Sequence, residues 1–181
     1  MTEEPPLVID SRRLPRQPGA SLRLTVQVDP DSELANDVVH VAEEPVAVEL
    51  FLESVLDGIL VTGSASLRLH GTCVRCLTDI DNPLEITFRP FFVYPGAEVE
   101  QNEESDDDIE PMDGPMLDLR PAFRDATLLA LPLSPVCAPD CLGLCPECGF
   151  RMADDPGHGH ERSDPRLAAL ADLRTKLSEG D

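Results

Sequence analysis

Six cysteines in two groups limit the folds open to this chain more than any other feature. Cys73-Val74-Arg75-Cys76 is one C-x-x-C, and Cys137, Cys141, Cys145 and Cys148 follow in the run C-A-P-D-C-L-G-L-C-P-E-C-G. A C-x-x-C wraps a single turn around an ion with both sulfurs directed inward, so two such pairs are the usual sign of a tetrahedral zinc site. His158 and His160, just beyond the last cysteine, add two borderline donors. The expectation is a protein folded around structural zinc, with Cys73, Cys76, Cys137, Cys141, Cys145, Cys148, His158 and His160 as candidate ligands.

Eight donors suffice for two tetrahedra, and two pairings are open. In one, Cys145, Cys148, His158 and His160 form a local site while Cys73 and Cys76 close on Cys137 and Cys141. In the other, the two C-x-x-C pairs share one ion, and Cys137, Cys141 and the histidines stand by. His40 and His70 have no partners in sequence and are assigned to structure or surface.

The setting favours metal over disulfides. The opening Met-Thr-Glu-Glu-Pro-Pro-Leu has no basic stretch ahead of an apolar one, so it does not read as a signal peptide. No apolar run reaches the roughly 18 residues that a membrane span needs. A cytoplasmic location is expected, where thiols stay reduced. A thiol oxidoreductase is the competing use of a C-x-x-C, but it requires the pair to open a helix that lowers the thiol pKa. Here the first pair joins two strands and the second precedes glycine and a loop. Hydrolytic zinc keeps an open position beside a general base, whereas eight donors imply closed shells. No phosphate loop, Ser/His/Asp set or H-E-x-x-H motif is present, so no catalytic residue and no small-molecule substrate are expected.

Charge narrows the partners. Fourteen Lys and Arg stand against thirty-five Asp and Glu, a net −21. Nucleic-acid binders draw sequence-independent affinity from cations on phosphates. A broad RNA-binding face is therefore unexpected, and a basic protein partner fits better. Direct RNA contact stays open as an alternative: a zinc-ribbon module using Arg12, Arg13, Arg16, Arg75, Arg151, Arg162 and Arg166.

Along the chain, residues 1–20 read as an extended arm with a short strand at Leu7-Val8-Ile9. Alternation at Leu22, Leu24, Val26 and Val28, and again at Val46, Val48, Leu50 and Leu52, predicts half-buried strands. Asp57-Gly58 signals a hairpin whose type I′ turn needs positive φ. Its return strand carries Ile59, Val61, Ala65, Leu67 and Leu69 to Cys73, and Leu84, Ile86 and Phe88 continue beyond Cys76. The first C-x-x-C thus lies at the tip of a second hairpin. The two C-x-x-C pairs do not share similar sequence surroundings. Residues 96–115 are dominated by acids that repel one another and read as a mobile loop.

A helix is expected over 118–131, capped by Asp118, with Leu119, Ala122, Phe123, Ala126, Leu129 and Ala130 on its apolar stripe and Pro132 ending it. A closing helix follows the metal segment, with Asp164 as cap and Pro165 first. The fold class is α+β: a mostly antiparallel sheet over 21–95, a packed helix, a zinc-bound Cys-rich segment at 137–160 and a C-terminal helix. Residues 116–181 form one domain with 21–95.

Four stretches carry a resemblance to a known family: Gly71-x-Cys73-x-Arg75-Cys76-Leu77, Leu129-Ala130-Leu131-Pro132-Leu133-x-Pro135-x-Cys137, Cys141-x-Gly143-Leu144-Cys145-Pro146-x-Cys148-Gly149 and Asp164-Pro165-Arg166-x-Ala168-x-Leu170. The chain resembles the YceD-like proteins, the large ribosomal RNA subunit accumulation proteins of bacteria and plastids. The resemblance implies a non-enzymatic accessory role in 23S rRNA synthesis, processing or stability. Many relatives carry a C-x-C where this chain has His158-Gly159-His160, which supports a second metal site. Some enterobacterial members keep the first pair and lack the Cys145/Cys148 pair. The resemblance does not settle the role of the acidic insertion.

Overall fold

A computed structural model describes residues 6–97, 109–155 and 157–160. The chain divides into two compact units, Met1–Cys137 and Ala138–Asp181. The first is mostly antiparallel sheet with one α-helix among the described residues, in line with the alternating apolar pattern. The expected closing helix and the acidic stretch 98–108 lie outside the described residues.

Its spine is β5 (Gly58–Thr72), fifteen residues long and paired along both edges. On one edge it meets β4 (Val46–Ser54) and then β3 (Val39–Val41). On the other it meets β7 (Phe91–Val93) and then β6 (Asp79–Phe88). Beyond β4 lies β2 (Ser21–Val28), and beyond β7 the parallel β8 (Ile109–Pro111). A separate two-stranded sheet joins β1 (Val8–Asp10) to β9 (Met116–Asp118). Through it Leu7, Ile9 and Leu14 of the N-terminal segment enter the core.

Burying one face of this sheet sets the register of everything that follows. Ile59, Val61, Ala65, Leu67 and Leu69 of β5 are all buried, together with Val48, Leu50 and Leu52 of β4. Because side chains alternate faces with period two, the same odd parity carries inward orientation on to Cys73. Gly63 sits in that series because a Cβ there would lie 2.2 Å from the Phe88 ring.

The hairpin expected at Asp57-Gly58 forms, with Val55 N–H donating to the Gly58 carbonyl at 2.9 Å, but not for the expected reason. Neither residue has positive φ. Glycine is needed at 58 because a Cβ there would lie 2.1 Å from the Phe92 carbonyl oxygen.

The helix α1 (Arg120–Ala130) packs on β6, its Phe123 ring edge-on to Phe88 at 6.1 Å. Leu119, not Asp118, is its N-cap; Asp118 stands one position earlier and accepts from the Arg120 N–H at 3.1 Å. Leu119, Phe123 and Thr127 are buried, whereas Leu129 is 87% exposed. At about 100° per residue, Leu129 lies about 120° around the helix from Phe123, so the buried stripe follows 119, 123 and 127 instead. Thr127 tolerates that position because its hydroxyl donates to the Phe123 carbonyl at 2.7 Å.

Candidate metal centres

Each C-x-x-C forms the tip of a tight hairpin, and the two tips share one hydrogen-bond pattern. In the first, Thr72 pairs with Asp79, Cys73 N–H donates to the Thr78 carbonyl at 2.8 Å, and Leu77 N–H donates to the Cys73 carbonyl at 2.9 Å. In the second, Leu144 pairs with Arg151, Cys145 N–H donates to the Phe150 carbonyl at 2.7 Å, and Gly149 N–H donates to the Cys145 carbonyl at 2.9 Å. The residue after the second cysteine is left-handed in both, with φ of 58° at Leu77 and 72° at Gly149. The dissimilar sequence surroundings of the two pairs conceal one backbone geometry. Glycine adopts it freely; leucine does so against the steric preference of an L-residue.

The eight candidate residues fall into two groups of four. The sulfurs of Cys73, Cys76, Cys137 and Cys141 all lie within 4.8 Å of one another, and so do the ligand atoms of Cys145, Cys148, His158 and His160. All six cysteines are free thiols. In the first group, Cys76 Sγ and Cys137 Sγ are 3.5 Å apart. The chain is brought there by α1 and the segment after it, where Val74 N–H donates to the Pro135 carbonyl at 3.0 Å. In the second, Cys148 Sγ lies 3.2 Å from both His158 Nε2 and His160 Nε2, which are 3.1 Å from each other.

These spacings fit a tetrahedral ion. Sulfurs bound at ~2.3 Å would be ~3.8 Å apart, and a sulfur and a nitrogen about 3.5 Å apart. The 3.5 Å sulfur–sulfur and 3.2 Å sulfur–nitrogen separations are within a few tenths of an ångström of those values, and the remaining donors lie within 4.8 Å, so both groups can hold a metal ion.

Local electrostatics prepare the sulfurs. Burial works against the Cys73 thiolate, yet the backbone amides of Cys76, Cys137 and Arg75 hold its pKa down to about 6. At Cys145 the amides of Glu147 and Cys148 outweigh burial and hold the pKa at about 6. The Thr78 hydroxyl, 3.0 Å from Cys76 Sγ, leads its amide in lowering that thiol too. Thiolates are the metal-binding form, so both tips are poised for an ion near neutral pH.

Three supporting residues had no signal of their own in the sequence. Thr78 contacts Cys76. Glu147 Oε2 lies 3.7 Å from His160 Nδ1, which leaves Nε2 turned toward the cluster. Phe150 stacks on His158 with centroids 4.5 Å apart. Glu147 sits inside C-P-E-C, where a carboxylate behind a ligand histidine is a recognised arrangement. His40 and His70 face each other across β3 and β5, with ring centroids 5.8 Å apart, and belong to neither cluster.

The model of the family described as large ribosomal RNA subunit accumulation protein YceD matches residues 61–174. The chain belongs to the YceD family. The match begins within β5 and takes in all eight cluster residues. Membership implies a role in accumulation of the large-subunit ribosomal RNA. The chain is 36% identical to an uncharacterized protein of Mycobacterium bovis over 169 residues, covering 93% of this chain and 81% of the relative. A Mycobacterium tuberculosis protein matches to the same extent. A Mycobacterium leprae protein is 35% identical over 169 residues, 93% of this chain and 77% of the relative. No solved structure matches the chain. No helix among the described residues is long and apolar enough to cross a membrane.

Proposed function

We propose that this YceD-family protein is a zinc-bound, non-enzymatic accessory factor in 23S rRNA synthesis, processing or stability, acting in the cytoplasm through basic ribosomal or assembly proteins. The observation that carries the zinc reading is the convergence of four thiols in one group, and of two thiols and two imidazoles in the other, each within 4.8 Å of one another. Four protein ligands complete zinc's usual shell and leave no position for a reacting water, which makes the ions structural. Cys73, Cys76, Cys137 and Cys141 would hold one ion, and Cys145, Cys148, His158 and His160 the other.

Charge supports a protein partner over a grip on RNA. Beyond the net −21, several arginines are already engaged by carboxylates. Arg12 pairs with Asp10, Arg68 with Asp81, Arg120 with Asp118 and Arg124 with Glu33. A guanidinium held by its own chain must give up that pair before it can neutralise a phosphate.

The test is co-purification from cells with both proteins and RNA identified, followed by binding to 23S rRNA fragments across a salt series. The proposal expects basic ribosomal or assembly proteins to be recovered, and weak rRNA binding. Tight rRNA binding with a steep salt slope, and indifference to basic proteins, would overturn it in favour of direct RNA contact.

A further inference from the structure

The two clusters differ in how their donors are held. Cys73 is 0% exposed and Cys76 6%, at the tip of the β5–β6 hairpin, while Cys137, which follows α1, is exposed and Cys141 half-buried. Freeing an ion from them means separating the hairpin tip from the segment after α1, including the Val74–Pro135 hydrogen bond. The second cluster draws on two nearby segments, 145–148 and 158–160. Only Cys145 is buried; Cys148 and His160 are exposed and His158 half-exposed. His158 N–H donates to the Asp155 carbonyl at 3.0 Å and the ring rests on Phe150, both local contacts. Opening that loop leaves the sheet and α1 intact.

Resting on the reading of both clusters as zinc sites, we propose that they are unequal: the Cys145–Cys148–His158–His160 centre is an exchange site that trades its ion with solution, and the Cys73–Cys76–Cys137–Cys141 centre retains its ion. Two physical effects act in the same direction. Local opening requires less free energy where few buried contacts break. Three of the four donors of the second cluster are exposed or half-exposed, against two of four in the first, so an incoming chelator or thiolate reaches its ion more readily before the last protein ligand leaves. Occupancy of the second centre then follows the free zinc concentration while the β scaffold stays folded, and the loop 145–160 becomes a zinc-responsive surface.

The experiment uses the full chain, purified with its metal. Total zinc is measured first, and the chain is then mixed with excess 4-(2-pyridylazo)resorcinol while the coloured zinc complex is followed. The expected result is two equivalents per chain, one released at least about tenfold faster than the other, a difference of about 1.4 kcal/mol in barrier. In the double variant His158→Ala/His160→Ala, only the slow equivalent is expected, with β-sheet circular dichroism unchanged. Equal release rates from a two-zinc protein would overturn the inequality while leaving the zinc reading standing. Loss of the slow phase and survival of the fast one in the double variant would overturn the assignment. A chain purified without zinc would overturn the inequality together with the zinc reading beneath it.

Discussion

Cys76 Sγ and Cys137 Sγ stand 3.5 Å apart although 61 residues separate them. Between the two lie β6, β7, β8, β9 and α1, so a bond through one ion closes nearly half of the first unit into a loop. A cross-link over a loop of that length removes about 4 kcal/mol of unfolded-state entropy. Stripping metal with a strong chelator should therefore lower the urea unfolding free energy by about that much. An unchanged midpoint in chelator would mean that no ion ties these sulfurs.

The shared backbone of the two tips predicts opposite responses to exchanging their left-handed residues. Gly149→Ala should destabilise the second tip by about 1 kcal/mol, since φ of 72° strains any L-residue. Leu77→Gly should be neutral or stabilising by up to about 1 kcal/mol, because relief of strain exceeds the added freedom of the unfolded chain. At 64% exposure the Leu77 side chain forfeits little packing. Thermal unfolding of both variants, with metal bound, tests the pair; destabilisation by L77G beyond 1 kcal/mol would contradict it.

Helix phase makes a sharper contrast. Phe123→Ala removes a ring buried against Phe88 and should cost about 3–5 kcal/mol. Leu129→Ala should change stability by less than about 0.5 kcal/mol. Chemical denaturation of the two variants separates the observed stripe from the one drawn on sequence alone.

Asp118 gives a pH signature. Hydrogen bonds from the Arg120 guanidinium, and then its backbone N–H, hold the carboxyl below its ordinary 3.8. A depressed carboxyl stabilises the fold above its unfolded pKa, and that contribution disappears as pH falls through the lowered value. Asp118→Asn should cost about 1 kcal/mol at pH 7, given the partial exposure of the pair. The deficit should shrink as the pH drops through 3.8 and below. A deficit constant across that range would show that the charge is immaterial.

Glu147→Gln should weaken zinc binding at the second centre by about 10- to 100-fold, because the carboxylate behind His160 orients its ring. Competition with a chelator of known affinity measures this. Wild-type affinity in the variant would make the 3.7 Å approach incidental.

Several elements were legible from side-chain type alone. Alternation located β2, β4, β5 and β6, since a half-buried strand must repeat every two residues. The cysteine spacing singled out the eight residues that gather into two clusters. Other features were not legible. β8 and β9 are three residues each, and proline ends one and precedes the other, too short for a period to show. The burial of Leu7, Ile9 and Leu14 depends on β1 finding β9 more than a hundred residues away.

The sequence by itself determined which atoms can bind a soft ion and which strand residues face inward, because both are properties of residue type and short-range period. Only the tertiary structure decided which donors meet. It placed Cys137 beside Cys76, directed Leu119, Phe123 and Thr127 rather than Leu129 toward the sheet, and gave Leu77 the conformation of Gly149. Those outcomes depend on the packing of β5, β6 and α1 around one core, where contacts between residues far apart in the chain outweigh local preference.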